Sequence, residues 1–137
     1  MNLFQKQNIE LHSGQQSDFK IECDALTDED WECLAYLISK QTTFDSVRGV
    51  PNGGNKLAKA LEKYSTNTWQ RIVLIVDDVL TTGKSMEEMK AKLIEGNPKH
   101  YEEVWFRGFV VFARSECPDW IKSLFSFCRE EKNKNEI

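Results

Sequence analysis

The chain has 137 residues, 40% hydrophobic and 11% aromatic, which is enough apolar side chain for one folded domain with a core of its own. Its formal net charge of −4 argues against a nucleic-acid surface, and its four cysteines, Cys23, Cys33, Cys117 and Cys128, lack the Cys-x-x-Cys spacing of a metal site. Reduced thiols, an N-terminal stretch without an apolar signal core, and no segment of membrane-spanning length make a cytoplasmic protein the expectation.

From the N-terminus, Ile9 and Leu11 alternate with polar residues, as do Phe19, Ile21 and Cys23, and the turn-rich stretch His12-Ser13-Gly14-Gln15-Gln16-Ser17 lies between them. This predicts two short strands joined by a loop. A helix follows over Thr27 to Lys40. Thr27 and Asp30 form an acidic capping box, Asp28 and Glu29 suit the positive end of the dipole, and Trp31, Leu34, Ala35 and Ile38 make one stripe for a sheet. Phe44 to Val50 is the next strand, and it runs into Pro51-Asn52-Gly53-Gly54 before Leu57, Leu61 and Tyr64 fall at helical spacing. Adjacent glycines at a strand-to-helix turn leave backbone N–H groups open at a helix start, where an anion can sit.

The uninterrupted run Ile72 to Val76 has the composition of a strand covered on both faces, as in a parallel sheet under helices. Asp77 and Asp78 follow it, at the rim where open α/β sheets bind ligands. The turn Val79 to Ser85 is made of small residues. Gly83 permits close backbone approach, Thr81, Thr82 and Ser85 add hydroxyl donors, and a helix starts near Gly83 with its free N–H groups pointing the same way. Such a turn is a phosphate cradle with two acids beside it, suited to a phosphorylated sugar. Gly83-Lys84-Ser85 is not the end of a nucleoside-triphosphate P-loop: the position that loop needs as glycine is Asp78, an acid that repels phosphate. Met86, Met89 and Leu93 give the following helix its buried stripe, and Gly96 with Pro98 ends it. Val104 to Ala113 reads as a buried strand, Trp120 with Leu124, Phe125 and Phe127 as apolar closure, and Arg129 to Ile137 as a charged tail.

VLIVDDVLTTGKS closely resembles the signature of the type I phosphoribosyltransferases, which bind phosphoribosyl pyrophosphate (PRPP). The resemblance implies a mostly parallel α/β sheet with helices on both faces. It assigns Asp77 and Asp78 to the ribose hydroxyls as the catalytic pair, and Thr81, Thr82, Gly83, Lys84 and Ser85 to the 5′-phosphate. By the same likeness Pro51, Asn52, Gly53 and Gly54 match the turn that binds pyrophosphate, often through a strained or cis peptide. LHSGQQSDFKIECD is similar to the N-terminal hood of orotate phosphoribosyltransferases, which places His12 and Phe19 on the base side, with His12 where a Lys is usual. Pro118-Asp119-Trp120-Ile121 resembles a purine-enzyme segment whose aromatic stacks on the base, which nominates Trp120 against its packing role. The implied organisation is one domain over 1–137: hood strands to about 26, an α/β core over 27–113, a base-side segment over 114–128 and a tail.

The implied activity is transfer of the phosphoribosyl group from PRPP to a nucleobase or related heterocycle, with release of pyrophosphate. Mg2+ would be carried on PRPP itself, with no direct protein ligand. One departure stands out. Only Ser65 to Gln70 separates the helix ending near Tyr64 from the strand at Arg71, an interval where orotate-type enzymes hold an extra strand and a basic lid loop. A non-catalytic PRPP or nucleotide sensor is therefore the alternative expectation. A homodimer whose neighbour completes the site is a third arrangement that the resemblance allows.

Overall fold

The run that begins at Ile72 forms an interior strand of a parallel sheet. The computed structural model describes residues 1–10 and 16–127, in the order β1 (Phe4–Glu10), β2 (Gln16–Ile21), α1 (Asp28–Ser39), β3 (Ser46–Gly49), α2 (Asn55–Leu61), β4 (Ile72–Leu80), α3 (Lys84–Gly96), α4 (Pro98–Tyr101), β5 (Trp105–Ala113) and β6 (Ile121–Ser126). β3, β4, β5 and β6 lie side by side in that order, each pair parallel, while β1 and β2 make a separate antiparallel hairpin with Phe4 opposite Ile21 and Lys6 opposite Phe19.

Side chains alternate across the sheet and fill two apolar layers. Ile72, Leu74, Val76, Phe109 and Val111 meet Trp31, Ala35 and Ile38 of α1 and Leu57, Ala60 and Leu61 of α2. On the opposite face Ile75, Val110 and Ala113 meet Met86, Met89 and Leu93 of α3. The expected α/β architecture with helices on both faces is thus present, and so is the small N-terminal hairpin. Among the described residues no helix is long and apolar enough to cross a membrane.

The order of the sheet has a consequence for chirality. β3 to β4 and β4 to β5 step the same way across the sheet, yet α2 and α3 cover opposite faces. Two such crossovers are necessarily of opposite hand, so one of them departs from the right-handed rule. The short α2–β4 connection is fixed by Asp45, whose carboxylate accepts from Thr68 N–H at 2.6 Å, Thr68 Oγ1 at 2.7 Å and Ile72 N–H at 2.6 Å. With Trp69 and Arg71 both at positive φ, 62° and 55°, the chain turns directly into β4 and inserts no extra strand.

Two boundaries differ from expectation. β4 continues through the acids to Leu80, because Asp77 to Leu80 keep pairing with β5. The stretch after Trp120 is a strand, β6, paired to β5 from Gly108 with Ile121 to Ala113 with Ser126. The helix start is as read: Thr27 Oγ1 accepts from Asp30 N–H at 3.1 Å, and Asp30 Oδ2 accepts from Thr27 N–H at 2.8 Å. Replacing Thr27 by Ala removes one half of that box and should cost about 1 kcal/mol. Chemical denaturation will read it as a lower midpoint at unchanged slope; no change in midpoint would mean that the cap adds nothing.

Candidate functional site

The two strand-to-helix turns singled out in the sequence follow β3 and β4, which are adjacent and parallel, so both open on one rim of the sheet. The first is fastened by backbone: Val50 N–H donates to Val76 O and Gly54 N–H to Val50 O, each at 2.8 Å. Its Pro51–Asn52 peptide is cis. A Cβ on Gly53 would stand 2.6 Å from both carboxylate oxygens of Asp78. Glycine there lets the turn backbone and the acid touch, which joins the two halves of the site.

Asp77 and Asp78 sit inside the paired part of β4. Asp77 is only 8% exposed, and Asp78 is half-buried. Asp78 N–H donates to Asp77 Oδ1 at 2.8 Å, and Val79 N–H donates to Asp78 Oδ1 at 2.7 Å. Burial, aided by the Asp78 carboxyl beside it, pushes Asp77 up to about 8. At neutral pH Asp77 therefore keeps its proton and shares a hydrogen bond with Asp78.

The second turn joins β4 to α3. Gly83 has φ 83°, the left-handed region that favours glycine, and the Pro118 ring lies 3.6 Å from where its Cβ would be. Thr82 Oγ1 accepts from Lys84 N–H at 3.3 Å, and Ser115 Oγ donates to Thr81 O. Thr82, just before α3, and Lys84 and Ser85 at its start are exposed. Lys84 pairs only at 3.9 Å with Glu88, both well exposed. Such a pair contributes little and leaves the ammonium available to an anion.

The base-side residues are distributed differently. His12 lies outside the described residues. Phe19 on β2 packs with the Phe127 ring, and the Arg114 guanidinium lies 4.2 Å from its ring centroid while Arg114 Nη2 donates to Phe19 O at 2.6 Å. Trp120 is tied to α3: its Nε1 donates to Glu87 Oε1 at 2.7 Å, and the Lys90 ammonium lies 4.9 Å from its ring. Phe19 belongs to the α1/α2 layer and Trp120 to the α3 layer, so the structure does not bring these two aromatics together. Nor does Trp120 close the core with Leu124, which packs in the layer opposite.

Three residues at this rim escaped the sequence reading. Arg114 continues β5 past its last strand residue, with its N–H on Leu80 O at 2.8 Å. Ser115 reaches the Thr81 carbonyl. Cys23, in the 3-10 turn Cys23–Ala25 after β2, is half-buried, and burial together with the nearby Asp78 carboxyl holds its thiol well above the ordinary range. A basic residue at a strand's carboxyl end was the one available signal, for Arg114; nothing in the sequence pairs Cys23 with an acid so far along the chain.

No protein-family sequence model matches the chain, and no curated protein matches it by sequence. Solved structures do. An orotate phosphoribosyltransferase from Aeropyrum pernix superposes with TM-score 0.68 at 18% identity, over 90% of this chain and 88% of that one. The orotate enzyme of Mycobacterium tuberculosis, solved with inorganic phosphate, gives 0.62 at 15% identity over 87% and 85%. A Helicobacter pylori xanthine-guanine-hypoxanthine phosphoribosyltransferase gives 0.51 at 16% over 72% and 89%. The chain has the type I phosphoribosyltransferase fold.

Within that fold the acid pair and the Gly53 turn are in contact, and the Thr81-Thr82-Gly83 turn follows on the same strand. Among the described residues no group of three or more His, Cys, Asp or Glu side chains is placed to hold a metal ion. Arg114 and Phe19 fasten the N-terminal hairpin to the carboxyl end of β5, beside this rim.

Proposed function

We propose that the protein binds PRPP across this rim and transfers its phosphoribosyl group to a nucleobase or related heterocycle. The observation that supports the reading is the contact between Gly53 and the Asp78 carboxylate, which joins the glycine turn to the acid pair, with the hydroxyl-rich turn next along the same strand. In this reading Asp77 and Asp78 hold the ribose hydroxyls. Thr81, Thr82, Gly83, Lys84 and Ser85 surround the 5′-phosphate, and Pro51, Asn52, Gly53 and Gly54 receive the pyrophosphate. His12, Phe19 and Trp120 remain the base-side candidates, Trp120 from the far face of the sheet.

The chemistry asks mainly for positioning and charge. A ring nitrogen of the base forms its bond to C1′ as the C1′–O bond to pyrophosphate breaks, and positive charge develops on the ribose in between. The Asp78 carboxylate lies where it can offset that charge while the protonated Asp77 beside it hydrogen-bonds, and the backbone donors of the glycine turn stabilise the leaving pyrophosphate. Mg2+ suits the ligand's pyrophosphate and hydroxyl oxygens plus water, so it requires no protein cage. It would supply charge neutralisation on the leaving group. We place the reaction in the cytoplasm, where PRPP and reduced thiols belong.

The direct turn from α2 into β4 through Ser65 to Gln70 favours a second reading, a PRPP or nucleotide sensor with no lid over the pyrophosphate. A homodimer that covers the rim with its neighbour would restore the enzyme reading. The test is calorimetric titration with Mg-PRPP, followed by a panel of nucleobases and a pyrophosphate-release assay. Saturable binding with release on one base is the expected result. Binding without release on any base selects the sensor, and no binding at all overturns both.

A further inference from the structure

We propose that Ser115 is a positioning residue for the phosphate turn: its hydroxyl holds the Thr81 carbonyl, and so aims the Thr82 N–H at the 5′-phosphate before any ligand arrives. The proposal rests on the reading of the turn from Thr81 to Ser85 as the phosphate site.

That turn is braced from one side by the segment that follows β5. Arg114 N–H donates to Leu80 O at 2.8 Å, Ser115 Oγ donates to Thr81 O, and the Pro118 ring lies 3.6 Å from where a Gly83 Cβ would be. All of these contacts fall on the short run from Leu80 to Gly83, but the Ser115 bond is the one that sets an orientation a ligand can feel. The Thr81–Thr82 peptide is trans, as the cis bond among the described residues is Pro51–Asn52, and in a trans peptide the C=O and the N–H point in opposite directions. A donor that draws the Thr81 carbonyl toward Ser115 therefore turns the Thr82 N–H away from Ser115. Ser115 is half-buried and Thr82 is exposed, so that direction is the open side of the turn. This peptide unit lies past β4, which ends at Leu80, and before α3, which begins at Lys84, so neither the strand ladder nor the helix fixes its plane. Without Ser115 it would have to be oriented at the moment of binding, a cost that pre-organisation removes.

The competing account is that Ser115 only secures the loop between β5 and β6. Ser115→Ala removes the donor, and Ser115→Thr keeps it. Calorimetric titration with ribose 5-phosphate should give a dissociation constant about 3- to 10-fold weaker for Ala, the ordinary effect of losing one hydrogen bond, with Thr within about twofold of the parent. Mg-pyrophosphate is then titrated with ribose 5-phosphate held at saturation, so that only the glycine turn is open to it, and should bind the Ala variant and the parent alike. Parent-like affinity of Ser115→Ala for ribose 5-phosphate overturns the proposal, and so does an equal loss for both ligands, the mark of a loosened loop. Nuclear magnetic resonance tests the contact with no ligand present. The Thr81 carbonyl carbon resonance should move upfield in Ser115→Ala, as a carbonyl does on losing a donor, and return in Ser115→Thr. A parent that binds ribose 5-phosphate while this resonance stays in place in Ser115→Ala overturns the role of Ser115 alone. A parent that binds neither PRPP nor ribose 5-phosphate overturns the functional reading, and this role with it.

Discussion

Gly54→Ala should destabilise the protein by about 3–5 kcal/mol, at the upper end of what one methyl group can do. The new Cβ would stand 2.4 Å from Val76 O, 2.7 Å from Val50 N and 2.9 Å from Val50 O. Every one of these is backbone, so no rotamer change relieves the clash. The same atoms make the hydrogen bonds that fasten the end of β3 to β4 and close the turn, Val50 N–H to Val76 O and Gly54 N–H to Val50 O. To admit the methyl, the turn has to lift off β4 and give up both, and Gly49, whose own Cβ would lie 2.5 Å from Gly54 O, is displaced with it. Gly54 has φ −86°, an ordinary backbone value, so the cost is close approach and not conformation. Gly96 makes the control: a Cβ there meets nothing within 4 Å, and Gly96→Ala at the end of α3 should be neutral or stabilising by up to about 1 kcal/mol. Thermal unfolding followed by circular dichroism should show Gly54→Ala melting about 10 °C or more below the parent. If both alanine variants melt with the parent, the turn is not seated on β4 as described.

Much of this architecture is legible in the sequence because burial leaves a mark on composition. Ile72 to Val76 is apolar without interruption since both faces of β4 are covered, and Trp31, Ala35 and Ile38 recur at helical spacing since α1 is covered on one. The capping box at Thr27 is local chemistry, settled within a few residues of chain. Less legible is whatever depends on partners distant in sequence. β4 does not stop at its acids because β5 continues to pair with it, and a carboxylate inside a paired strand looks the same in sequence as one just beyond it. β6 carries Ile121 buried, Lys122 exposed and Phe125 exposed, too irregular an alternation for so short an edge strand to be recognised. The hand of a crossover leaves no trace in composition. Of the candidate site, the two turns could be located because each is a contiguous run after a strand, whereas Trp120 was nominated by four residues and lies on the α3 face.

Replacing both acids of the pair, Asp77→Asn with Asp78→Asn, should abolish Mg-PRPP binding while leaving the fold more stable at alkaline pH. The two effects have one cause. Asp77 is nearly buried, and the interior with Asp78 beside it disfavours its charge, so it ionises only near 8. In the unfolded chain it ionises near 4. Between those values unfolding releases a proton, so the contribution of Asp77 to stability falls as pH rises through that window and levels off above about 8. Asparagine carries no charge to bury, and its Oδ1 can still accept the Asp78 N–H that Asp77 now accepts. Single Asp77→Asn should therefore melt above the parent at pH 9 and close to it at pH 4, with the slope between them reduced. A parent whose stability is flat or rising from pH 5 to 8, with no change on Asp77→Asn, would show that Asp77 is already ionised in the fold. Binding moves the other way. Ribose hydroxyls need acceptors, and one charge-assisted hydrogen bond to the Asp78 carboxylate at about 1.5–3 kcal/mol with one ordinary bond to the protonated Asp77 at about 0.5–1.5 kcal/mol predict a loss of roughly 30-fold or more in affinity for the double variant. Folded, stabilised protein that no longer takes up PRPP is the signature of a site that gives up stability for function. Undiminished affinity in the double variant would remove the acid pair from the site.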